Sequence, residues 1–553
     1  MRKLFIWVLV FCVLGVGGFA GYRGYKIWKQ KHLMKMARDY VAKSDGRSAL
    51  LSVEQALRSN PRNLEAVRMM ADFAEMAGAP TAVFWRGRVV ELDPDSFTNR
   101  MEWARSAVAA GDAPTAQKAL EGVDPESKKT SLYHRMAGAV AIASKDLTNA
   151  EVHFVEVSRL EPTNPVPRLN LAVLRLQSTN VSTVNAARAT LVGLCADRRV
   201  RVDALRQVEL EAVRREDLTA ALGYSTELLK ETNAMFSDRL LHLAILRGAK
   251  NPQAVPFLVR VQQESADDPT KIYAVSKWML GEGQAAQALT WMQGLPAQSV
   301  TNGPVPMIRA ECHVAARDWV GLQKTVTSQG WGELEFLREA YNTRALRELG
   351  SAVAAKAEWA DAMKAIGGRL DRAALLLRTV VAWKWTAEQE DVLWVIVNRF
   401  PKEKWAFLAL AERLSTAGNT QGLLTLYRRI AEAEPANLAI KNNLALTALL
   451  LGALERRPHE LALEVYTRDS TNPFYASTYG YSLYAQRKTN DALRVFEKLS
   501  AQQLQDPGIA AYYGLVLEGN GQAGKARPYL ELAAQARLLP EEKKMIDQAR
   551  GRL

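Results

Sequence analysis

The sequence predicts an all-α protein, a solenoid of stacked helical hairpins, and three observations carry that prediction. Beyond about residue 44, apolar residues recur at three- and four-residue spacing, with no sustained strand-type alternation. Prolines recur at a nearly constant interval. Pro61, Pro94, Pro125 and Pro162 near the start, and Pro401, Pro435, Pro473, Pro507 and Pro540 near the end, lie 31 to 38 residues apart. The text A-P-T-A is written twice, at 79–82 and again 34 residues later at 113–116.

Each observation has a physical cause. Proline cannot continue a helix, suits its first turn, and biases the preceding residue away from helix. One proline per two helices therefore marks the phase of a helical hairpin. Corners such as GD, TN, GN and DP separate segments of about 12–16 residues. The doubled A-P-T-A reads as the corner from which a second helix starts. A chain of 553 residues exceeds what one core organises, so several domains or a stacking array are required.

The first element is of another kind. Residues 4–22, LFIWVLVFCVLGVGGFAGY, contain no charge. At 1.5 Å per residue they reach roughly 28 Å, a bilayer's hydrocarbon thickness. Arg2 and Lys3 flank one side; Arg23, Lys26, Lys29, Lys31, Lys35 and Arg38 flank the other. The segment reads first as a permanent single-pass anchor. A cleaved signal peptide, with Gly18-Phe19-Ala20 as its small-x-small site, is the alternative. The count of flanking cations favours a cytoplasmic body, and the cleavage site favours export, so the side of the membrane stays open.

Charge excludes one partner class. The net charge is +13, but residues 1–43 hold +8 of it, and the other 510 residues share +5. A nucleic-acid binder concentrates positive charge on its folded face. Cys12, Cys195 and Cys312 form no disulfide ladder or metal spacing. The six histidines are scattered, and HExxH, GxSxG and GxxxxGK[ST] are absent. GNGQAG at 519–524 matches GxGxxG but follows a helical segment rather than a strand, and reads as a hairpin turn. The expectation is therefore no catalytic, cofactor or metal site. Nine of 13 tryptophans lie between Trp278 and Trp405, as an aromatic groove or as inter-repeat packing, of which packing is the first reading.

The hairpins resemble the tetratricopeptide-repeat (TPR) family, whose unit is 34 residues of helix–turn–helix. In 407–435 the resemblance rests on Leu410-Ala411, Leu414, Gly418, Tyr427 and Pro435, with Leu423 where the family has a small residue. In 479–499 it rests on Tyr479-Gly480, Leu483, Ala492 and Phe496, and in 103–125 on Trp103-Ala104, Ala107, Gly111, Ala116 and Leu120. The small residues let helices approach and the large ones fill the gaps between them. The resemblance implies a right-handed α-solenoid of roughly 14 pairs, with first helices lining a concave surface that binds protein or peptide partners. It points to Glu412, Asn442, Tyr481 and Tyr484 as residues facing that groove. The family's carboxylate clamp is incomplete here.

The organisation expected is an anchor and basic segment at 1–43, TPR-like repeats at 44–170, diverged helical repeats at 171–400, TPR repeats at 401–540 and a polar, solvating cap at 541–553. The function expected is a membrane-tethered protein-interaction scaffold, not an enzyme. The alternatives are an accessory or cryptic enzyme with its site in 171–400, or a structural protein that self-assembles into a homo-oligomer.

Overall fold

A computed structural model describes residue 26 and residues 28–553, apart from residue 302 and residues 454–456. The expected anchor at 4–22 lies outside the described residues. Among the described residues no helix is long and apolar enough to cross a membrane.

The described chain is helical and contains no strand. It divides into two units, Met1–Glu264 and Ser265–Leu553. The boundary falls inside the segment expected to be diverged. Among the described residues the longer helices form fifteen pairs, from 28–42 with Gly46–Ser59 to Pro507–Gly519 with Ala523–Ala533, with short helices Ala297–Thr301 and Ala501–Leu504 between pairs, and a single helix Pro540–Arg550 follows.

The corner between paired helices is where the period is kept. In fourteen of the fifteen pairs one residue there has positive φ: Ser44, Gly78, Gly111, Lys145, then Glu216, Lys250, Gly283, Arg317, Gly350, Lys384, Gly418, Gly452, Arg487 and Gly521. Successive corners lie 33 to 35 residues apart, except across 145–216, where the pair Pro165–Arg175 and Val181–Leu194 turns without one. The next residue donates its N–H five residues back, as Asp112 does to Ala107 at 2.9 Å and Trp385 to Val380 at 3.0 Å. This closes the first helix with a left-handed cap. That residue is often Asp or Asn, whose side chain then caps the second helix: Asp112 accepts from the Thr115 N–H at 3.1 Å, Asp217 from Ala220 at 3.0 Å and Asn419 from Gly422 at 2.8 Å. The middle of the chain, where closing prolines are missing or displaced, thus keeps the same period as the ends.

The two A-P-T-A copies differ in detail. The second starts its helix at Ala113, with Pro114 in the first turn and Asp112 as cap. The first starts only at Ala82, after Pro80 and Thr81. Ala79 stands where Asp112 does and has no oxygen to cap the helix.

Side chains that carry a Cβ are strained at these corners, by about 1–2 kcal/mol. Lys384→Gly, at an exposed corner with φ +59°, is therefore expected to stabilise its unit by about 0.5 kcal/mol, after the added freedom of the unfolded glycine is set against the relief. Glu216→Gly should behave alike, and Gly111→Ala should destabilise. Chemical denaturation midpoints check the three signs.

Within a pair, the large residue of the second helix seats on a small residue sixteen positions earlier. A Cβ added at Gly138 would meet Phe154 at 3.0 Å, one at Gly480 would meet Phe496 at 2.4 Å, and one at Gly514 would meet Leu530 at 2.8 Å. Ala104, Ala116, Ala492 and Phe496 are fully buried. The spacing that the sequence repeats is thus the spacing of helix contact.

Candidate functional site

In the C-terminal unit, the first helices Lys404–Thr416, Leu438–Leu450 and Pro473–Ala485 carry Glu412, Asn442, and Tyr481 with Tyr484, the residues that the sequence singles out, and Pro507–Gly519 is the next first helix. Glu412 is exposed. Its Oε1 accepts from Arg537 Nη1 at 2.5 Å, which holds the carboxyl below its usual range. Tyr481 is buried, and its hydroxyl lies 3.2 Å from Met545 Sδ. Burial, with Glu542 nearby, pushes its phenol up to about 12. Tyr484 is half-buried, its ring 6.4 Å from that of Tyr481. Asn442 is 5% exposed; its Nδ2 donates to Asn443 Oδ1 at 3.4 Å, and its Oδ1 has no hydrogen-bond partner within the chain. Of the four residues expected to face a groove, Asn442 and Tyr481 are removed from solvent by packing, and Glu412 and Tyr484 keep accessible surface.

What brings Glu412 and Tyr481 together is a segment the sequence reading treated as a solvating cap. The helix Pro540–Arg550 lies against residues from several hairpins. Thr420 Oγ1 donates to Glu541 at 2.5 Å, and a Cβ on Gly418 would meet Pro540 Cγ at 3.1 Å. The Tyr512 hydroxyl donates to Glu542, whose other oxygen accepts the Leu539 N–H at 2.7 Å. Arg552 Nη1 reaches Glu518 at 3.1 Å. Glu542, Ile546 and Ala549 are buried, so the helix solvates only one of its faces. Burial raises the Glu542 carboxyl and carries the Tyr512 phenol well above its usual range. One signal for this helix was in the text: Pro540 follows Pro507 by 33 residues, in phase with a new first helix.

The tryptophan-rich segment packs in the same unit. The Arg344 guanidinium stands 5.2–5.7 Å from the rings of Trp319, Trp383 and Trp385, and Arg347 lies 4.0 Å over Trp385. Trp359 is buried and donates Nε1–H to Asp391 at 2.9 Å. The chain's own cations cover these aromatic faces, which favours the packing reading.

The N-terminal unit holds an open cleft of about 760 Å³ beside the helices Ser131–Ala143, Pro165–Arg175 and Arg201–Arg214. Ile142 and Val166 line it while 46% and 44% exposed, with Phe154 and Leu169 deeper and Asn170 and Gln207 as polar groups.

Titratable pairs are dispersed along the array. His134 Nδ1 faces His153 Nδ1 at 3.0 Å, and His242 Nδ1 faces Ser225 Oγ at 2.7 Å in a buried pair. His313 lies between Asp318 at 2.8 Å and Thr325 at 3.1 Å. The Cys312 thiol is buried and pushed up to about 12, opposite to an activated nucleophile. Among the described residues no three of His, Cys, Asp or Glu converge to hold a metal ion. GNGQAG is a hairpin corner, with Gly521 at φ +71° and Asn520 Nδ2 donating to Thr489 O at 2.9 Å.

Fold and inner faces together define an all-helical repeat array of TPR-like hairpins. No family model and no curated protein matches the chain. Solved structures it is similar to include a tetratricopeptide repeat protein from Parabacteroides merdae, at 14% identity over 52% of this chain and 99% of that one, with a TM-score of 0.33. The anaphase-promoting-complex assembly Cut9–Hcn1 is similar at 12% identity and TM-score 0.28, and Naa15/Naa10 bound to HypK at 12% and 0.26, each over 94% of this chain and 96% of its own. At such identities and scores nothing about function passes from them to this chain.

Proposed function

We propose that the chain is a protein-interaction scaffold that binds helical or extended segments of partner proteins along the inner faces of its hairpins, and that residues 4–22 tether it to a membrane. The observation that carries the binding reading is the open apolar cleft of about 760 Å³ at residues 139–207. Exposed aliphatic side chains at its mouth, such as Ile142 and Val166, cost the isolated chain solvation and gain by being covered. The tether rests on nineteen uncharged residues flanked by cations. Anchoring confines the array to the bilayer surface and raises its effective concentration for partners there.

Val166→Asp tests the binding reading. The side chain is largely exposed, so the fold should persist, while a charge in the cleft should lower recovery of cross-linked partners about tenfold, near 1.4 kcal/mol. Unchanged recovery with Val166→Asp and Ile142→Asp together would rule out this cleft as the binding face. Protease accessibility in intact and opened cells reports the side of the membrane.

A further inference from the structure

We propose that the helix Pro540–Arg550 is a built-in ligand of a face of the C-terminal hairpins, and that the external partner of this face is an amphipathic helix of the same chemistry, one that carries a glutamate beside aliphatic side chains, which must displace it. The inference rests on the protein-binding reading and specifies the partner for this second surface.

A helix that merely continued the stack would touch the last pair alone, because each repeat contacts its neighbours. This one reaches back 121 residues, from Glu541 to Thr420, and Arg537 just before it reaches back 125. Arg537 pairs with Glu412, Glu541 with Thr420, Met545 with Tyr481 and Glu542 with Tyr512. Besides packing on the last pair, Pro507–Gly519 and Ala523–Ala533, it therefore reaches Tyr481 and the corner at Gly418–Thr420 of earlier hairpins, as a bound peptide helix would.

The contacts also say what the face recognises. Its floor is aromatic, with the Tyr481 and Tyr512 rings 4.8 Å apart. The Tyr512 hydroxyl is buried, and the Glu542 carboxylate accepts its hydrogen bond. A ligand without an acceptor at that place leaves the hydroxyl unsatisfied. Beside the acid come Met545 and Ile546, flexible and aliphatic side chains laid against the aromatic floor. The ends are held by an exposed pair, Arg537–Glu412, and by Arg552–Glu518, in which only the arginine is exposed.

The helix is poised to leave. Its buried apolar side chains within 540–550 are Ile546 and Ala549, a small footprint next to the hairpin cores. Small footprints open locally at low free energy. The tether from Ala533 to Pro540 is short, so the helix competes at high effective concentration and sets a threshold that a partner must exceed.

The test uses a fluorescent peptide of residues 535–553 and the full chain. In the wild-type chain, backbone amides of 540–550 should exchange with solvent faster than those of 507–519, and the peptide should bind weakly. Ile546→Asp should release the helix and raise peptide affinity at least tenfold; Tyr512→Phe added to it should lower that affinity again. If Ile546→Asp unfolds the unit, Arg537→Glu at the exposed end serves instead. Two results would overturn the proposal: a released helix with no gain in peptide binding, or amides of 540–550 that exchange only with the 507–519 helix. Either could occur while the Val166-lined cleft still captures partners, so this inference can fail without the broader reading.

Discussion

Phe496→Ala should cost the C-terminal unit about 4 kcal/mol, the range for emptying a fully buried phenylalanine site. Phe496 ends the helix Thr489–Phe496, is completely buried, and lies against Gly480 of its paired helix, with the Tyr513 ring 5.3 Å away. The contact predicts a second, coupled result. Gly480→Ala by itself places a Cβ 2.4 Å from Phe496 Cε2 and should destabilise by about 1–3 kcal/mol, outweighing the ~1 kcal/mol of helix propensity gained. In the Phe496→Ala background the same methyl enters vacated space and should stabilise. A double-mutant cycle by denaturant unfolding measures the change of sign; additive effects would show that the sixteen-residue contact does not set hairpin spacing. Hydrogen exchange should localise the loss to 473–519, as expected where each hairpin is stabilised by its neighbours.

Glu209→Met should stabilise the N-terminal unit, and the gain should grow with pH. Glu209 lies in the helix Arg201–Arg214 with no accessible surface, and neither carboxyl oxygen has a hydrogen-bond partner within the chain. Burial, reinforced by the charge of Asp238, raises its pKa from 4.5 to about 7. The nearest cation, Arg206, is committed to Asp238 at 2.9 Å. A pKa raised on folding means that the native state keeps a proton that the unfolded state has lost. Stability is therefore fully present below pH 4.5 and declines as pH rises through about 7, by about 3 kcal/mol in all. Methionine, of similar length and uncharged, abolishes the decline. Unfolding midpoints at pH 5 and pH 8 should separate wild type from variant more widely at pH 8; parallel curves would refute the buried-acid account.

The helical text, the 34-residue unit and the small-to-large contacts were legible because they depend on neighbours in sequence. Apolar spacing marks the buried stripe of each helix, and Gly480 and Phe496 sit one hairpin apart. The middle of the chain looked diverged because proline was the marker read there. Its period is kept instead by Glu216, Lys250, Arg317 and Lys384 in left-handed corners, and nothing about a lysine announces positive φ. The sequence could name residues of the first helices but not which of them keep accessible surface. Glu412 and Tyr484 keep accessible surface, while Tyr481 and Asn442 are packed away.

The sequence alone determined that the protein is an array of helical hairpins, because propensity, capping and burial stripe act over a few residues and repeat with the text. Tertiary structure alone decided that the last helix, besides packing on the final pair, reaches residues of earlier hairpins. Its polar sequence reads as solvated until Tyr512, Tyr481 and Glu412 are known to face it. Those partners lie 30 to 125 residues away in sequence, and only the packing of separate hairpins brings them within hydrogen-bond reach.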